Sequence, residues 1–203
     1  MKASPKKLLP LTLFAIAVTS LFSVRPAQAY TVTLDQVGAN VVANGSGPIN
    51  LTGLTSIGLT QGVGVIQPNT ALIITGPTGA EFQDLYKGVT GPTSFGSGGS
   101  TFANTGTGDF VGVGRFGQFL GLIVPLGYVS GTALSDSMTF NNATFASLGV
   151  TPGTYVWRWG TGLENQNFTL IIGGVGVPDG GSTVSLLGCA LLGLVALRRK
   201  LSC

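Results

Sequence analysis

The 203-residue chain contains no histidine, only two cysteines, and charged residues at just 8% of its length. Without imidazole there can be no Ser-His-Asp triad, no Cys-His pair and no histidine metal site. Cys189 and Cys203 both fall near the C-terminus. The body before them therefore has no disulfide and must be held by its core. Cys189 lies in an apolar run and reads as a small buried residue; Cys203 is either lipidated or inert, and inert is the simpler reading. A Ser-Lys dyad would have to use Lys87, the single lysine of the body. Glycine is abundant but has no Gly-x-y period, which excludes collagen. So much Gly, Thr, Ser and Asn disfavours long helices.

What is present first is a leader. Lys2, Lys6 and Lys7 precede the apolar stretch Leu8 to Phe22, and Ala27-Gln28-Ala29 has the small-x-small form of a signal-peptidase site. Residues 1–29 are read as a signal peptide, cut between Ala29 and Tyr30. The chain is then exported. The competing reading is an uncut N-terminal anchor helix.

The other end has three parts. Val177-Pro178-Asp179-Gly180-Gly181-Ser182-Thr183 is followed by 14 uncharged residues, Val184 to Leu197, and then by Arg198-Arg199-Lys200. As a helix the uncharged run spans about 21 Å, short of a hydrocarbon core of about 30 Å. It has no polar face, so it must lie in lipid or be wholly buried. The terminal cations fit a cytoplasmic stop under the positive-inside rule, and snorkelling side chains can cover part of the mismatch. A short transmembrane helix is favoured over a soluble one.

This tail resembles the PEP-CTERM sorting signal, a Val-Pro-Glu-Pro-like motif followed by a short transmembrane helix and an Arg-rich end. It resembles the Val-Pro-Asp-x-Gly-Ser-Thr variant, with Asp179 in place of Glu and Gly180 in place of the second Pro. The resemblance implies an exopolysaccharide-producing Gram-negative bacterium and processing by a membrane transpeptidase, exosortase. It implies recognition at Val177, Pro178 and Asp179, an inner-membrane-anchored precursor, and later release to the cell surface or extracellular matrix. Association with exopolysaccharide or biofilm follows from the same resemblance.

Residues 30–176 remain as one exported domain, with 177–203 as the sorting segment. The high pI of the whole chain belongs to its ends. The body carries Lys87, Arg115 and Arg158 against Asp35, Glu81, Asp84, Asp109, Asp136 and Glu164, a net −3. That balance gives no footprint for nucleic acid. Short apolar runs between Gly, Pro and Asn turns predict an all-β fold, an antiparallel, jelly-roll-like β-sandwich of about nine short strands.

Thr31 to Asp35 is the first predicted strand, and Asn44-Gly45 is read as the turn of a hairpin flanked by Val41-Val42 and Ile49 to Leu51. Further strands are expected at Ala71–Thr75, Phe82–Val89, Phe110–Val113, Phe119–Val124, Tyr128–Ser130 and Ser135–Phe140. Leu54 to Val65 mixes Gly with β-branched residues. Thr93 to Gly108 reads as a long loop, and Ala143 to Leu148 as one helical turn. Thr154 to Trp159 and Phe168 to Ile172 are the clearest strands, and Tyr155 stands where sandwich strands can hydrogen-bond back across a corner. The Pro-Gly-Thr-Tyr-x-Trp strand, the Trp-Gly turn and the Phe-Thr-Leu strand also resemble modules seen above this kind of tail.

Chemistry is sparse. Glu81 and Asp84 are the one candidate carboxylate pair for glycoside hydrolysis, and a solvated edge is the plainer reading. Asp109 and Asp136 are considered for Ca²⁺, but no Asp-x-Asp loop accompanies them. Three Asn-x-Thr triplets, at Asn50, Asn142 and Asn167, match a glycosylation pattern whose match is read as accidental. Tyr155, Trp157 and Trp159 share one strand face. Buried, that face is core; exposed, it is a platform for sugar rings. The expectation is a non-enzymatic surface or matrix protein with no cofactor and no metal. A carbohydrate-binding module on the aromatic face is the alternative.

Overall fold

The computed structural model describes residues 29–173. The leader up to Gln28, the motif 177–183, the helix expected at 184–197 and the basic end 198–200 lie outside the described residues. Thirteen strands form two sheets. They are β1 (Thr31–Val37), β2 (Asn40–Pro48), β3 (Thr55–Gly62), β4 (Val65–Gln67), β5 (Leu72–Thr75), β6 (Glu81–Lys87) and β7 (Thr101–Phe102). They continue with β8 (Thr105–Gly108), β9 (Val111–Phe116), β10 (Phe119–Pro125), β11 (Ala133–Phe140), β12 (Gly153–Arg158) and β13 (Asn167–Ile172). Sheet 1 runs β12-β13-β1-β2-β11-β8, and sheet 2 runs β3-β6-β10-β9-β5-β4-β7.

Period-2 alternation builds the inner face of sheet 1. Val32 and Leu34, Val41 and Ala43, Met138 and Phe140, and Phe168, Leu170 and Ile172 are all buried, and the register sets them side by side. Ile66, Ile73, Val111, Val113, Leu122 and Val124 from sheet 2 join them in one core. Alternate residues of sheet 2 point the other way. Val65, Ile74, Phe110 and Ile123 form a smaller cluster on its outer face.

All neighbouring strands are antiparallel but one. β1 lies parallel to β13, with Thr31 beside Thr169 and Leu34 beside Ile172. The sheets are thus antiparallel-rich, as expected, with one parallel pair that the sequence did not indicate. The count of about nine strands is corrected to thirteen. The stretch read as a loop at Thr93–Gly108 holds β7 and β8, whose two and four residues are too short to show periodicity.

Two turn expectations also change. Asn44-Gly45 is no turn; β2 runs straight through it, and the hairpin with β1 turns at Gly38, where φ is +61°. Tyr128–Ser130 is no strand. Its Tyr hydroxyl accepts from Ile49 N at 3.0 Å and donates to Thr132 O at 2.7 Å, which ties a turn to the end of β2. The helical turn is present as α1 (Phe145–Leu148), where Thr144 and Ser147 form a reciprocal capping box and Gly149 closes it at φ +64°.

Candidate functional site

The aromatic strand comes first. Tyr155 is half-buried, Trp157 is 0% exposed and Trp159 4%. Trp157 meets Phe168 edge-on at 5.8 Å and Phe95 at 6.4 Å. Both indoles are also spent as donors: Trp157 Nε1–H to Pro92 O at 2.9 Å and Trp159 Nε1–H to Asn50 O at 2.7 Å. The Tyr155 hydroxyl donates to Thr151 O at 3.0 Å, the corner bond expected of it. Stacking on a sugar needs a bare ring face, and Trp157 and Trp159 have none. The platform reading of Tyr155, Trp157 and Trp159 is corrected, because both indoles belong to the core and its rim.

The carboxylates are dispersed. Glu81 and Asp84 are three apart on β6, so alternation sends them to opposite faces. Asp84 accepts from Gly127 N at 2.8 Å and holds a turn, and Asp109 accepts from Ser135 N of β11 at 2.8 Å. Among the described residues no three of His, Cys, Asp and Glu gather to hold a metal ion. An open depression of about 550 Å³ is lined by Glu81, Phe82, Asp109, Phe110, Pro125 and Leu126. Its two carboxylates lie beside an apolar wall and face no base or nucleophile of their own.

The one unusual chemical cluster sits between the sheets. Asp136, 5% exposed, is on the inner face of β11 opposite Gly45 of β2. The Tyr30 hydroxyl donates to its Oδ2, and Thr75 of β5 lies 3.3 Å from the same hydroxyl. Thr75 in turn donates to Val111 O at 3.0 Å. The chain thus links the two sheets through an otherwise apolar core. Gly45 makes it possible. A Cβ there would overlap the Tyr30 hydroxyl and the Asp136 carboxylate, so this glycine serves close approach rather than a turn.

Burial pushes the Asp136 carboxyl up to about 6, against the pull of the Tyr30 hydrogen bond and the nearby Thr75 hydroxyl, with Asp109 adding repulsion. The Tyr30 phenol is held well above 10 by burial and by Asp136, so it remains the donor. Asp136 Oδ1 has no hydrogen-bond partner. A carboxyl raised from 3.8 to about 6 favours folding fully below pH 3.8, and that stability is lost as pH rises through 6. The displacement is worth about 3 kcal/mol. We therefore expect Asp136→Asn to match the wild type near pH 4 and to exceed it by up to about 3 kcal/mol at pH 8. Urea denaturation of both proteins across that range checks this, and a constant difference between them would refute it.

Tyr30, Gly45 and Thr75 carried no sequence signal for this cluster. Tyr30 meets Thr75 across 45 residues and Asp136 across 106. Gln83 is a second silent polar residue. It is 0% exposed, and neither amide atom has a partner.

The strand β13 ends at Ile172, and Gly173 N–H donates to Leu34 O at 2.9 Å, the last bond of the described body. Among the described residues no helix is long and apolar enough to cross a membrane. Comparison with curated proteins and with solved structures found no match. The VPDSG-CTERM motif matches at residues 176–201, three residues beyond the last bond of the body. Gly180 stands where that motif's name has Ser. Such a signal marks an exported, membrane-anchored precursor handled by an exosortase-type enzyme. The chain carries at its C-terminus a sorting signal of the VPDSG-CTERM kind, a variant of the PEP-CTERM type.

Proposed function

We propose that this is a non-enzymatic surface or matrix protein of a Gram-negative bacterium, with a jelly-roll-like sandwich as its exported body. The motif at 176–201 carries the reading. Signal peptidase removes residues 1–29 after Ala29. Val184 to Leu197 then holds the precursor in the inner membrane, with Arg198, Arg199 and Lys200 on the cytoplasmic side. The exosortase-type enzyme recognises Val177, Pro178 and Asp179 and cuts near Pro178, which sends the body to the cell surface or to a matrix of exopolysaccharide. The dispersal of the body's carboxylates and the backbone hydrogen bonds that Asp84 and Asp109 accept support a structural role.

The intact mass of protein from the cell surface and medium tests this against protein from the membrane fraction. A surface mass fitting Tyr30 to about Pro178, with or without an adduct, is expected. A chain ending at Cys203 and confined to the membrane would overturn the sorting step.

A further inference from the structure

Four strands lie at sheet edges, and three of them are protected. On β12 the outer side is covered: Thr90 N donates to Arg158 O at 2.9 Å and Arg158 N to Thr90 O at 2.8 Å. Thr151 N–H, just before β12, donates to Phe95 O at 2.9 Å. The edges β7 and β8 have two and four residues. The fourth, β3, is the longest of the four, and its one interruption is a bulge near its start. It is eight residues long, pairs only with β6, and contains neither a charge nor a proline. Six of its eight residues are exposed. Long, uncharged, apolar edges are the ones that recruit another strand.

The side chains agree with the backbone. Leu59 is 58% exposed and Phe82 on the adjacent strand 59%. The register sets Leu59 opposite Asp84 and Gln61 opposite Phe82, so Leu59 and Phe82 are diagonal neighbours on one face. Ile57, 40% exposed, is the extra residue of a bulge between Ser56 and Gly58. The bulge bends the start of the strand and leaves residues 58–62, Leu59 among them, for a new partner.

We propose that a second copy of this chain occupies this edge, the two β3 strands pairing antiparallel about a two-fold axis near Leu59. Charge selects that arrangement. Lys87 flanks the Thr55 end of β3 and Glu81 the Gly62 end. An antiparallel pair sets the Glu81 end of one copy beside the Lys87 end of the other, across about 14 Å or three strand spacings. A parallel pair would lay like on like. At that distance the charges set direction and add little affinity. The affinity comes from the backbone bonds and from Leu59 meeting Leu59 of the second copy. Because the contact is short, the dimer is weak and reversible.

Sedimentation of the full chain in detergent tests this from about 1 µM to about 1 mM, the range in which small interfaces associate. Wild type and Val37→Lys, a change at an apolar residue 58% exposed in the β1–β2 hairpin of sheet 1, are expected to dimerise alike. Leu59→Lys is expected to weaken dimerisation at least tenfold. Amide exchange supplies an independent readout, with protection within residues 58–62 rising with wild-type concentration. A monomer throughout, an undiminished Leu59→Lys dimer, or protection arising elsewhere would overturn the proposal. So would loss of protection in a chain ended at Gly173, which would make the C-terminal segment the occupant.

Discussion

Trp157→Ala is expected to lower the stability of the body by about 3–5 kcal/mol, the range for removing a fully buried large aromatic. The indole is 0% exposed and packs edge-on against Phe168 and Phe95. Its N–H satisfies Pro92 O, on the segment that bridges to β12 through Thr90. The substitution opens a cavity, orphans a carbonyl and loosens the cover of the β12 edge together. Domains of this size hold about 5–15 kcal/mol in total, so the loss takes a large share of the margin. Urea denaturation of the variant beside the wild type measures it. A loss below about 1 kcal/mol, the level typical of an exposed site, would contradict the burial. The result also bears on sugar recognition, since any glycan binding lost in this variant is expected to be lost with the fold.

The second large effect concerns the order of events at the N-terminus. Tyr30 follows the expected scissile bond and is 0% exposed. Its ring lies 5.2 Å from that of Phe168, its hydroxyl is bound to Asp136, and its carbonyl accepts Thr169 N–H at 3.0 Å. A protease needs several extended residues free around the bond it cuts. Here freeing them means pulling β1 from between β2 and β13. Since β13 is the last strand of the body, the slot for β1 closes only when that end of the chain arrives. Signal removal is therefore expected to precede closure. Folded full chain given signal peptidase in detergent should stay uncut, while chain presented from urea should be cut between Ala29 and Tyr30. Equal cutting of both would refute the ordering. Cutting of neither would place the boundary elsewhere.

Much of the fold was legible because it is local. The runs Thr31–Asp35, Ser135–Phe140, Thr154–Trp159 and Phe168–Ile172 mark real strands, and the helical turn expected within Ala143–Leu148 is present. The misses are non-local. Asn44-Gly45 has the composition of a hairpin turn, yet it lies within β2 because the Tyr30 hydroxyl and the Asp136 carboxylate occupy the space a Cβ would need. Strands as short as β7 and β8 carry too few residues to show a period.

What the sequence by itself determined is the address and the class of fold. The VPDSG-CTERM motif is a contiguous string, and strand periodicity needs only a residue's near neighbours. The absence of histidine limits the chemistry in the same direct way. The tertiary structure alone decided which side of each strand meets the core. It turned Trp157 and Trp159 inward and left β3 bare. It also set β1 parallel to β13 and joined Tyr30, Thr75 and Asp136 across two sheets. Burial and pairing depend on partners tens of residues away, and no local pattern in this chain encodes which partners those are.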